Sequence, residues 1–190
     1  MRNRKIAIFA SGSGTNAQRI IEYFSENEKV TIDSIWSNNK NAYVLQRASN
    51  FGVKTFIFGK EGFVNSNFVV EKLIERKIDL IVLAGFLWLL PENLTQNFKI
   101  INIHPALLPK YGGKGMFGMN VHNSVVENRE TESGISIHFV NDKYDDGELI
   151  FQAKCRVLPT DSPDDVANKI HNLEYKHFPE VIENVLLESD

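Results

Sequence analysis

Apolar runs and helical periodicities alternate along the first half of the chain. Lys5–Ala10 is apolar after its lysine, the pattern of a strand covered on both faces. Ala17, Ile20, Ile21 and Phe24 follow at the i, i+3, i+4, i+7 spacing of one helix face. The alternation then repeats. Val30–Trp36 reads as a strand, Ala42, Leu45 and Ala48 mark a helix, and Val53–Phe58 is a third strand. Phe68–Lys77 carries Val69, Leu73 and Arg76 in helical rows, and Asp79–Ala84 is almost wholly aliphatic. Pro91 is placed at the first turn of a short helix, and Ile100–His104 forms a fifth strand.

The second half has a different rhythm. Ala106–Met119 is a glycine-rich loop and Val121–Glu127 is helical. Ile135, Ile137 and Phe139 alternate with Ser136, His138 and Val140, which predicts a strand with one wetter face. A turn at Asp145-Asp146-Gly147 leads into Leu149–Val157, and the two strands pair as a hairpin. Ser162-Pro163-Asp164-Asp165 starts a helix bearing Val166, Ile170 and Leu173, which Pro179 ends or kinks. A β-α-β-α order demands parallel strands with right-handed crossovers. The fold class is therefore α/β: a mostly parallel, doubly wound (Rossmann-like) sheet with an antiparallel C-terminal hairpin. No linker composition interrupts the chain, so residues 1–190 are expected to form a single domain.

Composition narrows the function. The 190 residues are 43% hydrophobic, enough for one sizeable core. A net charge of −3, from 21 basic and 24 acidic residues, argues against nucleic acid as a partner, since phosphate neutralisation needs clustered cations. Cys155 is the only cysteine, so no intrachain disulfide forms and a cytoplasmic location is expected. The apolar stretch Leu80–Leu90 is interrupted by Gly85 and stopped by Pro91, too short for a bilayer. No close His or Cys spacing suggests a metal site.

Two segments carry candidate chemistry. Ser11-Gly12-Ser13-Gly14-Thr15-Asn16-Ala17 joins the first strand to the first helix and matches G-x-G-x-x-A. Free N–H groups at a helix start attract phosphate, whatever molecule bears it. The second strand ends in Trp36-Ser37-Asn38-Asn39, without the acid that a nicotinamide ribose would require, and no Walker lysine follows the loop. A phosphate monoester fits better than NAD or ATP. In Asn102-Ile103-His104-Pro105 the two polar residues share one strand face at its carboxyl end, where open α/β sheets bind ligands. An amide and an imidazolium aimed at one point can hold a developing oxyanion. The Asp142–Asp146 turn offers acids to orient the imidazole.

Asn102-Ile103-His104-Pro105-Ala106-Leu107-Leu108-Pro109, with Asp145 in a later turn before glycine, resembles the signature of the folate-dependent formyltransferases. The likeness extends over nearly the whole chain, through Ser11–Asn16, Leu83-Ala84-Gly85-Phe86, Gly134–Val140, Gln152 and Glu174. It implies transfer of a formyl group from 10-formyltetrahydrofolate to the primary amine of glycinamide ribonucleotide, without a metal. It further implies Asn102, His104 and Asp145 as catalytic residues. Gly14, Thr15, Asn16, Gly85, His171 and Glu174 correspond to ribonucleotide contacts; Leu87, Trp88, Leu90, Asn102, Val140, Asn141, Asp142 and Tyr144 correspond to the folate pocket. Trp88, Asp146 and the long Gly112–Asn120 loop depart from the family pattern.

The other candidates read more plainly. His138 alternates with core residues and is expected to be a structural strand histidine, while His122 follows the glycine loop and lines the site as readily as not. His177 belongs to a helix surface, and Cys155 is a small core residue. Trp36, Phe51, Phe56 and Phe58 fit core strands. Small-molecule substrates and a monomer or weak homodimer are expected. A formyltetrahydrofolate hydrolase, a sugar-nucleotide formyltransferase and a non-catalytic nucleotide-binding module are the rival readings. A methionyl-tRNA formyltransferase would need a further basic domain for RNA.

Overall fold

The computed structural model describes residues 2–64 and 67–187. Seven strands form one sheet: β1 (Arg4–Phe9), β2 (Val30–Ser37), β3 (Lys54–Ile57), β4 (Leu80–Leu83), β5 (Ile100–His104), β6 (Glu132–Phe139) and β7 (Leu149–Arg156). Their order is β3-β2-β1-β4-β5-β6-β7. The first five strands run parallel, whereas β6 is antiparallel to both β5 and β7. The helices are α1 (Thr15–Phe24), α2 (Tyr43–Asn50), α3 (Lys60–Val64), α4 (Phe68–Glu75), α5 (Glu92–Asn97), α6 (Met119–Glu127) and α7 (Pro163–Leu187). None among the described residues is long and apolar enough to cross a membrane.

Alternation along the central strands feeds two cores. Ile6, Ile8, Leu80, Val82, Ile101 and Ile103 face one layer, where they meet Ile20 of α1, Val44 of α2, Val121 of α6 and Phe178 of α7. Ala7, Phe9, Ile81, Leu83 and Ile100 face the other, packed on Phe63, Leu73 and Leu94. Both faces of β4 are covered, which is why its sequence is uniformly aliphatic. The chain moves outward from β1 to β3, then returns to β4 on the other side of β1. That reversal opens a crevice at the carboxyl ends of β1 and β4.

Several local expectations are adjusted. The face of β6 expected to be wet is buried: Ser136 donates from Oγ to the Ala106 carbonyl at 2.7 Å and accepts the Leu108 N–H at 2.9 Å. The glycine-rich loop covers that face and satisfies its hydroxyl. Pro91 stands before α5 as its N-cap, with extended backbone, rather than within its first turn. The five-residue α3, too short to show a period, gave no helical signal. Pro179 does not end α7, because Val181, Ile182 and Val185 beyond it are buried in the first core. That burial outweighs the missing N–H. The α7 start is as expected: Ser162 Oγ accepts the Asp165 N–H at 3.2 Å, and Asp165 Oδ2 accepts the Ser162 N–H at 2.8 Å.

Candidate active site

A cavity of about 550 Å³ occupies the crevice. Its floor is built from three strand ends: the glycine loop after β1, Gly85-Phe86-Leu87 after β4, and Asn102 to His104 of β5 with Pro105 after it. Its sides come from Gly113–Gly118, His122 of α6, Tyr144-Asp145 of the β6–β7 turn, and His171 and Glu174 of α7.

The glycine loop enters α1 through Gly14, whose φ of +73° is left-handed. A Cβ built there would lie 2.3 Å from Val44 Cγ2, so a side chain is excluded by both conformation and space. No side chain caps α1. The N–H groups of its first turn are left for an external acceptor, and the helix dipole favours an anion there. Ser, Thr and Asn in this loop thus do not serve as caps. Asn16 instead donates from Nδ2 to Glu174 Oε2 at 2.9 Å, tying the loop to α7. Burial raises the Glu174 carboxyl to about 7, against the lowering effects of Asn16 and the His104 charge. Burial also lowers the His171 pKa.

Antiparallel pairing places Asn102 opposite His138 and His104 opposite Ser136. The Asp145 turn then folds back over the end of β5. Asp145 has a φ of +52°, a conformation that Asp tolerates better than most residues. Its Oδ2 accepts the Gly113 N–H at 2.9 Å and lies 3.4 Å from His104 Nδ1. Its Oδ1 lies 3.4 Å from Asn102 Nδ2 and 3.6 Å from His138 Nε2. Burial opposes ionisation of Asp145, but the contact to His104, the His104 charge and the Gly113 N–H outweigh it. They hold the carboxyl far below the usual range.

The acceptors around the histidines fix their tautomers. His104 Nε2 lies 2.7 Å from the Tyr111 carbonyl, which can only accept, so Nε2 carries a hydrogen. A proton on Nδ1, facing Asp145, then makes the ring an imidazolium. His138 Nδ1 likewise faces its neighbour's carbonyl, Phe139 O, at 2.7 Å. Its Nε2 is left to accept from Asn102 Nδ2 at 3.2 Å. His138, read from sequence as a strand histidine, therefore touches both Asn102 and Asp145. The signal available was register: it opposes Asn102 across the β5–β6 pair.

The cavity brings together most of the singled-out residues. Asn102, His104, Asp145, Gly14, Thr15, Asn16, Gly85, His171, Glu174, Leu87 and Tyr144 all line it. Trp88, Leu90, Val140, Asn141 and Asp142 stand elsewhere. Trp88 packs edge-on to Phe58 and against Phe63 and Phe86, in an aromatic stack behind the cavity wall. Leu90 is buried in the second core, with Val140 packed against it. Asn141 Nδ2 donates to Asp146 Oδ2 at 3.3 Å, beside the Asp145 turn. Phe86, read from sequence only as part of the Leu83-Ala84-Gly85-Phe86 motif, and Met116, which the sequence did not mark, also line the wall. His122 does face the cavity, and burial together with the charges of His171 and His104 lowers its pKa to about 4. Among the described residues, no three His, Cys, Asp or Glu side chains are grouped to hold a metal ion.

Comparison with known proteins places this arrangement. A family model described as formyl transferase matches residues 4–182. The chloroplastic phosphoribosylglycinamide formyltransferase of Arabidopsis thaliana is 37% identical over 95% of this chain, which spans 65% of that protein's length. The Haemophilus influenzae phosphoribosylglycinamide formyltransferase is also 37% identical, over 94% of this chain and 85% of its own. Among solved structures, glycinamide ribonucleotide transformylase 1 of Geobacillus kaustophilus superposes with a TM-score of 0.88 at 28% identity, covering 97% of this chain and all of its own. The Streptococcus pneumoniae phosphoribosylglycinamide formyltransferase gives 0.83 at 33% identity, covering 96% of this chain and 98% of its own. With its fold, its strand-end histidine and its sequence in agreement, the chain belongs to the formyl transferase family.

Proposed function

We propose that the chain carries the activity for which these relatives are named. It transfers the formyl group of 10-formyltetrahydrofolate, its co-substrate, to the primary amine of glycinamide ribonucleotide in de novo purine (IMP) biosynthesis. The observation that carries the reading is one cavity holding an uncapped glycine-loop helix start beside Asn102, His104 and Asp145. A nucleotide-binding module accounts for the first feature and leaves the second without a task.

The residues present suit both substrates. The first turn of α1, with Gly14, Thr15 and Asn16, offers N–H groups to the phosphate. Glu174 and His171 offer polar atoms to the ribose side. Phe86, Leu87 and Tyr144 offer apolar surface to a flat heterocycle. Anchoring both partners supplies the orientation of the reaction, which is worth about 7–11 kcal/mol of barrier at best.

In the transfer, the amine nitrogen attacks the formyl carbon and the carbonyl electron pair moves to oxygen. His104 Nδ1–H and one Asn102 N–H donate to that oxygen. Both lie 3.4 Å from Asp145, contacts long enough to leave each N–H open to share with a substrate oxygen. Asp145 remains ionised beside the ring as its counter-ion. Collapse of the intermediate breaks the bond to the folate nitrogen, which takes the proton lost by the amine. Asp145 assists that transfer, directly or through water.

Residues 1–190 act as one catalytic domain in this proposal, without a nucleic-acid or membrane partner, as a monomer or weak homodimer in the cytoplasm. The plant relatives are named chloroplastic, so location varies among these proteins. The test is to follow loss of 10-formyltetrahydrofolate with and without glycinamide ribonucleotide. Transfer dependent on the amine supports the proposal; consumption without it means a hydrolase.

A further inference from the structure

The cavity must receive two anionic substrates, yet Asp145 and Glu174 both line it and, among the described residues, Lys114 is the only lysine or arginine in its lining. The cation nearest the glycine loop in the fold is already used. Arg47 donates from Nε to the Ser13 carbonyl at 2.8 Å, bonds Gln18 Oε1 and lies over the Tyr43 ring. Lys110, on the neighbouring loop, is paired with Glu130 at 2.9 Å.

Lys114 differs from these in two ways. Its exposed side chain has no hydrogen-bond or ion-pair partner among the described residues. Its backbone, by contrast, is pinned on both sides. Gly113 gives its N–H to Asp145 Oδ2, and its carbonyl accepts the Met116 N–H at 3.1 Å, closing a turn around Lys114. The Gly115 carbonyl accepts from Asn120 Nδ2 at 2.9 Å. Both glycines have positive φ, +94° and +89°, a backbone that other residues rarely adopt. The loop's unusual conformation therefore holds Lys114 in the cavity lining, next to the Gly113 that Asp145 binds.

We propose that Lys114 is a substrate-binding residue that takes an oxyanion of one of the two substrates. The oxyanion is either the phosphate of the ribonucleotide or the glutamate carboxylate of the folate. The assignment rests on the formyl-transfer reading for the identity of those substrates. A lysine acts here as a mobile point charge, suited to either anion.

Direct binding tests it without turnover. Ribose 5-phosphate and tetrahydrofolate are titrated calorimetrically into the wild-type protein and into Lys114→Ala and Lys114→Arg. Lys114→Ala is expected to weaken one probe about tenfold or more at low salt and leave the other alone. Loss on ribose 5-phosphate identifies the phosphate, and loss on tetrahydrofolate the carboxylate. Lys114→Arg restores most of the affinity, and added salt brings wild type toward the alanine variant. Equal affinity of wild type and Lys114→Ala for both probes overturns the assignment. A wild-type protein that binds ribose 5-phosphate but transfers no formyl group overturns the functional reading and not this one.

Discussion

His104 Nδ1 stands 3.4 Å from Asp145 Oδ2, while the opposite ring nitrogen is bound to the Tyr111 carbonyl at 2.7 Å. The shorter bond fixes the ring and the longer one leaves its working proton loosely held. His104→Ala removes both the donor and the charge, and turnover is expected to fall by about two to four orders of magnitude. Asp145→Asn keeps the shape but withdraws the counter-ion, with a loss of similar order. Because Asp145 titrates far below the ordinary carboxylate range, it gives no acid limb to the wild-type pH–rate profile near neutrality. An acid limb lost in Asp145→Asn would contradict this. Steady-state kinetics from pH 5 to 9 read both points, with circular dichroism reporting the fold.

His138 supplies a second prediction. Replacing it by Phe fills the buried space but deprives Asn102 Nδ2 of its acceptor and Asp145 of a neighbour. A kcat lower by about tenfold to a hundredfold is expected, from misplacement of the Asn102 amide. Wild-type kcat in this variant would return His138 to a purely structural role.

Glu174 and His122 pull stability in opposite directions with pH. Burial raises the folded Glu174 pKa to about 7 from an ordinary 4.5, so its contribution is full below pH 4.5 and is lost as pH rises through 7. His122, lowered to about 4, contributes above pH 6.5 and loses that contribution as pH falls through 4. Glu174→Gln abolishes only the first. Its Tm relative to wild type is therefore expected to climb between pH 4.5 and 7, by an amount worth at most about 3 kcal/mol. Thermal melts across that interval check the slope, and a constant difference would refute it.

Gly147 makes the tightest approach in the active-site turn. A Cβ there would lie 1.7 Å from the Phe139 carbonyl oxygen, a main-chain atom with nowhere to go. Gly147→Ala is expected to cost about 3 kcal/mol or more and to displace Asp145, two residues away. Chemical denaturation reads the first effect and kcat the second. A stable variant with full activity would show that the turn can relax.

Most of the fold was legible because its signals are local. Two-sided burial writes itself into the aliphatic run at Leu80–Leu83, and the capping pattern at Ser162–Asp165 marks the start of α7. The misjudged places depend on what lies across the fold. Nothing near Ser136 in sequence says that the Ala106–Leu108 loop covers it, and nothing near Pro179 says that the next turns are core. The site divides the same way. Asn102 and His104 announce themselves by sharing a strand face, whereas His138 joins them only through β5–β6 register. Trp88, which corresponds in position to the folate pocket while departing from the family pattern, packs instead edge-on and tilted against Phe58 and Phe63.

The group that decides the His104 tautomer is a main-chain oxygen, while the Tyr111 side chain faces away and gives its hydroxyl to Glu130. A side chain that tolerates the left-handed φ of +56° at residue 111 can therefore replace the ring and still hold the catalytic imidazole. Its contribution is written in the course of the backbone and not in the identity of an amino acid. Reprogramming that histidine calls for a change in the course of the loop, not merely in the ring that residue 111 carries.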